Sequence, residues 1–483
     1  MELSKLLTGL NYVCVKGNEH QEVDHMIYDS RIKTNAGLFI AIEGFKTDGH
    51  QFIEAAIANG AKAILVQKDV EIKEDVTIIK VEDTRLAMAL VANNAYGHPS
   101  KQFELVGVTG TNGKTSITFL LGQILEAYHK KIGIIGTIEN RIGSQILKAE
   151  RTTPESLDLQ ALFKKMVESQ VDTTLMEVSS HALALSRVAG SDFKVGIFTN
   201  LTQDHLDFHQ TMENYAAAKA KLFTMCETGI VNKDSDYINE IIKGATCNLV
   251  TYAIDKDADY KATNVIITAA GVEYTLVCDQ GTFKVDVPIP GKFTVYNTLA
   301  VIAAARALEI PMTHILATLK IAKGVPGRVQ AFKSIKGYSV LVDYAHTPDG
   351  LENVLSTIKE FAQGHIITVF GCGGDRDKTK RPIMGKIAAT YSDHVFITSD
   401  NPRTEDPLLI LDEVEVGVKA ITDNYVKVED RKAAIEMALS EAKAEDVVLI
   451  AGKGHENYQI LKDRIIHFDD SEIVNAYLQG EIE

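Results

Sequence analysis

Cysteine is scarce: the five in 483 residues form no C-x-x-C pair and are odd in number, so neither a disulfide framework nor a structural zinc site organises this chain. A reducing cytoplasm is the expected compartment. Positive charge is also in deficit, with 50 Lys and Arg against 65 Asp and Glu and a formal net charge of -15. That balance argues against a nucleic-acid or anionic-membrane partner, although a local group of cations can still hold an anionic ligand. No run approaches the ~18 consecutive apolar residues of a membrane span, and the apolar stretch in MELSKLLTGLNYV is too short for a secretory signal. Repeats, low-complexity tracts and long charge blocks are missing too, so no segment is marked as disordered. What remains is an ordinary globular composition, 45% hydrophobic and 24% charged, in a chain long enough for about three domains.

The strongest local signal is GVTGTNGKTS, Gly107 to Ser116. It follows the apolar run Phe103 to Val108, which reads as a buried strand, and opens into Ile117 to Tyr128, whose apolar spacing reads as a helix. A strand, a glycine-rich turn and a helix beginning at Lys114 and Thr115 make a phosphate site. Gly110 and Gly113 let backbone N–H groups approach an anion, with Thr111, Asn112 and Ser116 completing the loop. Lys114 neutralises phosphate oxygens, and the Thr115 hydroxyl can ligate Mg²⁺. The first glycine of the common phosphate-loop spacing is replaced by Val108, so the match is to the shorter G-x-x-G-K-T form.

Around this centre the chain reads as α/β in three domains, with boundaries near 1–100, 101–331 and 332–483. The first alternates short strands and helices, including GLFIAI at Gly37 to Ile42 after the polar Asp29, Ser30 and Arg31, and ends in a linker-like His98-Pro99-Ser100. The second is the P-loop, parallel-sheet domain. A helix is expected over Asn214 to Cys226, an antiparallel insertion over 250–288, and an alanine-rich helix after Pro290. The third is a fresh strand-helix series, expected as a Rossmann-like, mostly parallel sheet.

Four clusters fall at strand ends, where ligands sit in open α/β sheets. Glu177, followed by Ser179 and Ser180, is placed to hold Mg²⁺ with Thr115; the plainer alternative is a cap or salt-bridge partner. Asp204, His205, Asp207 and His209 suggest a second metal or phosphate contact, or else a solvated turn. DYAHTPDG from Asp343 opens the last domain. GCGGDRDKTKR, SDNPRTEDP and AGKGHENYQ each follow a buried strand and should line one site, with cations and a Glu suited to a zwitterionic substrate carrying extra carboxylates.

Taken together, GTNGKT, EVSSH with Arg187 following, TNLTQDHLDFH, YAAAKAKLF, GKFTVYN, Gly327-Arg328, DYAHTPD, GCGGDRD, DNPR and GKGHE resemble the Mur ligase family of peptidoglycan synthesis over nearly the whole chain. Within it, their order and spacing are most similar to the branch that adds the third amino acid. The resemblance implies an ATP-dependent acid–amino-acid ligase whose N-terminal domain is a nucleotide-sugar module. Its substrates would be UDP-N-acetylmuramoyl-L-alanyl-D-glutamate and, from the Arg of DNPR, meso-2,6-diaminopimelate. It implies further that Thr115 and Glu177 hold one Mg²⁺, and His205 with a carbamylated Lys219 a second. Read alone, Lys219 is a helix-surface lysine. Asn297, Arg328 and Asp343 correspond to nucleotide-contacting positions, and Ser30, Thr152, Thr153, Ser179 and Arg187 to muramyl-nucleotide positions. Arg376, Asp400, Asn401, Pro402, Arg403, Gly452 and Glu456 correspond to the amino-acid site. A monomer without nucleic acid or membrane insertion is expected.

Competing readings are a folylpolyglutamate synthase-like ligase, the same ligase adding L-lysine or a sister adding another residue, and a non-enzymatic nucleotide-binding regulatory protein. For Arg403 itself, the competing role is to anchor its loop to Glu405 or Asp406.

Overall fold

The computed structural model describes residues 1–44, 47–202, 204–325, 329–454 and 456–481. They divide into two compact units, one of residues 1–252 with 303–310 and one of 253–302 with 311–483. No described helix is long and apolar enough to cross a membrane.

The first unit holds two sheets. The N-terminal one has five strands in the order Val13–Lys16, Thr77–Lys80, Ala61–Val66, Gly37–Ile40 and Met26–Ile27, parallel except for the first pairing. Its helix Thr84–Ala95 begins where the Asp83 carboxylate accepts hydrogen bonds from Arg85 N and Leu86 N, satisfying donors that a helix start leaves open. The expected linker at His98–Ser100 is instead packed: Pro99 and Ser100 are buried in a short 3₁₀ turn, and Ser100 Oγ accepts from Asp192 N. Burying a hydroxyl is tolerable here because that bond is made.

The second sheet is centred on Glu104–Thr109, flanked in parallel by Thr173–Glu177 and Phe193–Phe198. Outside these lie Ile132–Ile135 on one side and Cys226–Asn232 on the other, again parallel. Continuous runs of buried residues on these strands fit a parallel sheet covered on both faces. One sequence expectation fails here. The helix expected to reach Cys226 ends at Ala220, passes through a 3₁₀ turn at Lys221–Thr224, and gives way to the strand Cys226–Asn232. The strand carries Glu227 and Gly229, poor local signals, and is formed because its register against Phe193–Phe198 buries Ile230 and Val231.

In the second unit, Tyr260–Thr268, Gly271–Cys278 and Gly281–Val287 form the expected antiparallel meander. A six-stranded sheet follows in the order Gln330–Lys333, Ser339–Asp343, Val447–Ala451, Ile366–Phe370, His394–Thr398, Tyr425–Val428. Only its first pairing is antiparallel. The helix Pro348–Phe361 has Thr347 as its cap and Pro at its first position, where a missing N–H does no harm. The carboxyl ends of the parallel strands point their loops to one edge. Those loops include DYAHTPD, GCGGDRD, DNPR and GKGHE.

Candidate active site

In the first unit the phosphate loop is fixed from the next strand. Thr111 N donates to Asn200 O at 2.9 Å, Asn112 N to Asn200 Oδ1 at 3.0 Å, and Thr199 Oγ1 to Asn112 O at 2.6 Å. Gly110 has φ +148°, and a Cβ there would fall on Thr199 Oγ1, so no other residue fits. Gly113, also at positive φ, precedes the helix Lys114–Ala127, with Ser116 in its first turn. Lys114 Nζ donates to the carbonyls of Gly110 and Thr111 at 2.9 and 2.8 Å.

Thr115 and Glu177, 62 residues apart in sequence, meet: Thr115 Oγ1 donates to Glu177 Oε1 at 3.0 Å. Thr137 holds the same carboxylate from both sides, N to Oε1 and Oγ1 to Oε2, each at 3.0 Å. Thr137 Oγ1 also lies 3.0 Å from Thr152 Oγ1. Thr153 Oγ1 donates to Glu177 O and accepts from Ser179 N, while Arg187 donates to Thr153 O. The expected Thr152, Thr153, Ser179 and Arg187 are thus one chain of contacts ending on Glu177. Arg187 also pairs with Glu155 at 2.8 Å. Burial pulls its guanidinium below the ordinary value, which Glu155 partly offsets. Its Nε is buried with no hydrogen-bond partner among the described residues. Ser30 stays apart from this chain; the bond it makes is from Asn59 Nδ2 to its carbonyl.

Lys219 is no surface lysine. It is 1% exposed, donates to Gly110 O at 2.8 Å, and has its Nζ 4.5 Å from the Tyr215 ring centre. Two lysines, 114 and 219, therefore share one carbonyl. Burial, and then the Lys114 charge, hold the Lys219 amine well below its ordinary value. The Tyr215 hydroxyl lies 3.2 Å from Thr111 Oγ1, tying this helix to the phosphate loop.

His205 sits at φ +52° before a short helix, its ring 4.9 Å from that of His181 and its Nε2 3.3 Å from Asp204. His209 departs from the expected ligand cluster: it is buried against Ser180 Oγ at 2.9 Å and stacked on Tyr215. The side chain of Asp207 lies outside the described residues.

In the second unit the loops converge as expected. Asn401 is buried, its Nδ2 donating to Glu456 Oε2 at 2.8 Å and its Oδ1 accepting from Ile460 N at 2.8 Å. Asp400 Oδ1 accepts from Asn401 N at 2.6 Å. Gly452, at φ +118°, lets the GKGHE loop pass close to this carboxylate: an added Cβ would stand 2.8 Å from Asp400 Oδ2. Pro402 is buried, and its carbonyl accepts from Glu405 N.

Arg403 is half-buried and donates to the carbonyls of Gly374 at 2.9 Å and Asn401 at 3.5 Å. It makes no ion pair among the described residues. The anchoring role falls elsewhere. Glu405 is taken by the buried Arg381 at 2.9 and 3.0 Å and by Asp375 N at 2.6 Å, and Asp406 caps the next helix. Hydrogen bonds from Arg381 and then Asp375 N hold the Glu405 carboxyl down at about 2. Arg376 is exposed and, among the described residues, bonds Asp375 O. Asp343, buried, accepts from Val329 N and Ala345 N, each at 2.8 Å. Asn297 is buried on the helix Lys292–Ala307, and Arg328 lies outside the described residues.

Sequence reasoning passed over Thr137 and Lys453. Thr137 follows the strand Ile132–Ile135 and leaves no motif-level trace. Lys453 is visible inside GKGHE, but a lysine in a loop gives no sign of burial until the neighbouring loops are placed.

The comparisons agree with this geometry. The description of the Mur ligase family catalytic domain matches residues 22–96, that of the Mur ligase middle domain 108–305, and that of the Mur ligase glutamate ligase domain 327–454. The UDP-N-acetylmuramoyl-L-alanyl-D-glutamate--2,6-diaminopimelate ligase of Clostridioides difficile is 50% identical, over 99% of this chain and 99% of its own. That of Clostridium botulinum is 48% identical, over 99% of this chain and 100% of its own. A solved structure of a ligase with the same name is 31% identical, covers 100% of this chain and 99% of its own, and superposes with a TM-score of 0.76. With its three α/β modules, its phosphate loop and its convergent C-terminal loops, the chain belongs to the Mur ligase family.

Proposed function

We propose that this chain is an ATP-dependent amide ligase of peptidoglycan synthesis, joining meso-2,6-diaminopimelate to the D-glutamate γ-carboxylate of UDP-N-acetylmuramoyl-L-alanyl-D-glutamate. The observation that carries it is the second-unit pocket. Buried Asn401 and half-buried Glu456 sit beside Arg403, a guanidinium without a carboxylate partner among the described residues. An amino acid whose distal end bears both an ammonium and a carboxylate supplies the anion that Arg403 lacks and a further cation for Glu456.

A carboxylate is a poor electrophile, so ATP first transfers its γ-phosphoryl group to the D-glutamate oxygen. The diaminopimelate amine attacks the resulting acyl phosphate, the C–N bond forms, the C–O bond to phosphate breaks, and the amine proton is lost to base or water. The chain's task is to bring anions together. Gly110 to Ser116 cradle the ATP phosphates, and Lys114, now resting on two loop carbonyls, turns to a phosphate. Asn297, Arg328 and Asp343 take the rest of the nucleotide. Ser30, Thr152, Thr153, Ser179 and Arg187 take the muramyl nucleotide, for which Arg187 Nε is a spare buried donor. Arg376, Asp400, Asn401, Pro402, Arg403, Gly452 and Glu456 take the amino acid.

Mg²⁺ suits the paired Thr115 hydroxyl and Glu177 carboxylate, and His205 with Lys219 forms the second candidate set. Bound there, it would neutralise phosphate and carboxylate charge. As an ammonium Lys219 would repel the ion. Burial and the Lys114 charge favour its neutral amine, the form that reacts with CO₂, and the carbamate offers an anionic oxygen.

Residues 1–100, 101–331 and 332–483 then bind the muramyl nucleotide, ATP and the amino acid respectively, in a monomeric cytoplasmic enzyme. Phosphate release with ATP, the muramyl dipeptide nucleotide and each candidate amino acid tests the reading. Turnover should require diaminopimelate. Equal turnover with L-lysine removes the amino-acid assignment, turnover with a folate substrate favours the folylpolyglutamate alternative, and none with any acceptor leaves a binding protein.

A further inference from the structure

Lys453 stands out among the cations of the second unit because it is enclosed. None of its side chain is exposed, and its Nζ lies 3.3 Å from Glu456 Oε2, 3.4 Å from Asn401 Oδ1 and 5.6 Å from the Tyr458 ring centre. An enclosed ammonium persists where nearby charges compensate its lost hydration. Its two hydrogen-bond partners are the residues assigned to the ammonium end of the amino acid.

The charges packed here can be followed one by one. Arg431 and Asp470, both fully buried, pair through bonds of 2.8 and 2.7 Å and cancel. Asp400 and Glu456 remain as carboxylates, with Lys453 as the enclosed cation between the loops that carry them. Arg403, whose guanidinium donates to the Asn401 carbonyl, is the second cation, so the lining is balanced in charge. Without Lys453 it would be one negative charge in excess, and a bare ammonium would be drawn in more strongly whether or not a carboxylate came with it. Glu456 would also lose one of the contacts that aim it, while those from Asn401 Nδ2 and the Tyr344 hydroxyl, at 2.8 and 3.4 Å, would remain.

We infer that Lys453 is a specificity-determining positioning residue: it aims Glu456 and Asn401 and limits the pocket's negative charge, so that an amino acid with a zwitterionic distal end is taken over one ending in an ammonium only. This rests on the proposed assignment of Glu456 and Arg403 to the two distal charges. It differs from the role of Arg403, which attracts the carboxylate, in acting by weakening the pull on a lone cation.

The test compares wild type, Lys453→Met and Lys453→Arg for kcat/KM with meso-diaminopimelate and with L-lysine, alongside KM for ATP and the melting temperature. In Lys453→Met the diaminopimelate-to-lysine ratio should fall at least about tenfold, mainly through a lower KM for L-lysine, because an added unit of negative charge in a poorly solvated pocket is strongly felt. KM for ATP should stay put, and Lys453→Arg should recover most of the ratio. Equal proportional loss for both amino acids, or a lower melting temperature with an unchanged ratio, overturns the inference. If Lys453→Met does not fold by circular dichroism, Lys453→Gln is read instead. It removes the same charge with a polar side chain and should show the same tenfold fall in the ratio; an unchanged ratio in it would equally overturn the inference. Wild-type protein that uses neither amino acid defeats the proposed function itself, a distinct result.

Discussion

Replacing Arg403 by alanine separates substrate reading from loop architecture, because the structure divides those tasks between different residues. The Arg403 side chain contributes to its own loop through hydrogen bonds to the Gly374 and Asn401 carbonyls, the second of them long at 3.5 Å. Losing these should lower stability by about 1 to 2 kcal/mol. The loop keeps its main ties: Arg381 to Glu405, Thr404 Oγ1 to Asp375 at 2.7 Å, and Arg403 N to Ile460 O at 3.1 Å. Backbone strain is unchanged, since position 403 has φ +53° and alanine keeps the Cβ. A distal carboxylate bound by the guanidinium in a poorly solvated site is a different matter. Removing one partner of such a pair typically costs about 2 to 5 kcal/mol, roughly 30-fold to several-thousand-fold in kcat/KM. Initial rates of phosphate release with meso-diaminopimelate and with L-lysine, for wild type and Arg403→Ala, give the four values needed. The variant should lose diaminopimelate activity by at least about 30-fold and lysine activity far less. Equal proportional losses would mean that Arg403 shapes the loop and does not read the carboxylate.

Lys219→Ala should be nearly inactive and partly rescued by short-chain carboxylic acids that fill the place of a carbamate, and wild-type turnover in this variant would refute the metal role. Gly110→Ala should lose ATP affinity more than tenfold, measured by calorimetry, while circular dichroism stays native, because the new methyl falls on Thr199; unchanged affinity would mean the loop can shift. The Glu405 carboxyl is held at about 2, below its ordinary 4.5, by Arg381 and Asp375 N, so its stabilisation is present above pH 4.5 and fades as pH falls towards 2. Glu405→Gln should therefore be less stable than wild type at pH 7 but lose less on going from pH 5 to pH 2.5 in denaturant melts, and parallel pH profiles would contradict this.

Much of the candidate site was readable as sequence because its physics is local. A glycine-rich turn between an apolar run and a helix is a phosphate loop wherever it folds, so Gly110 to Thr115 declared themselves through spacing and backbone geometry. The same holds for the alternation of buried strands and helices in residues 338–451, where all eight of the expected elements form. Strands whose signal is tertiary escaped: Cys226–Asn232 and Tyr425–Val428 are short or polar and are strands because a neighbour pairs with them. His209 carries the residue type of a ligand and a packing role, which only its contact with Ser180 reveals.

Sequence by itself determined the chemistry on offer: a phosphate loop with its lysine and hydroxyl, a carboxylate at a strand end, and an arginine in DNPR, each a matter of residue type at a set place along one strand, turn or helix. Tertiary structure alone decided charge and partnership. It put Lys219 in the interior beside Lys114, gave Glu405 to Arg381 so that Arg403 was left without a carboxylate among the described residues, and closed Lys453 between Asn401 and Glu456. Burial and ion pairing depend on which distant segments meet, and no spacing along the chain encodes that meeting.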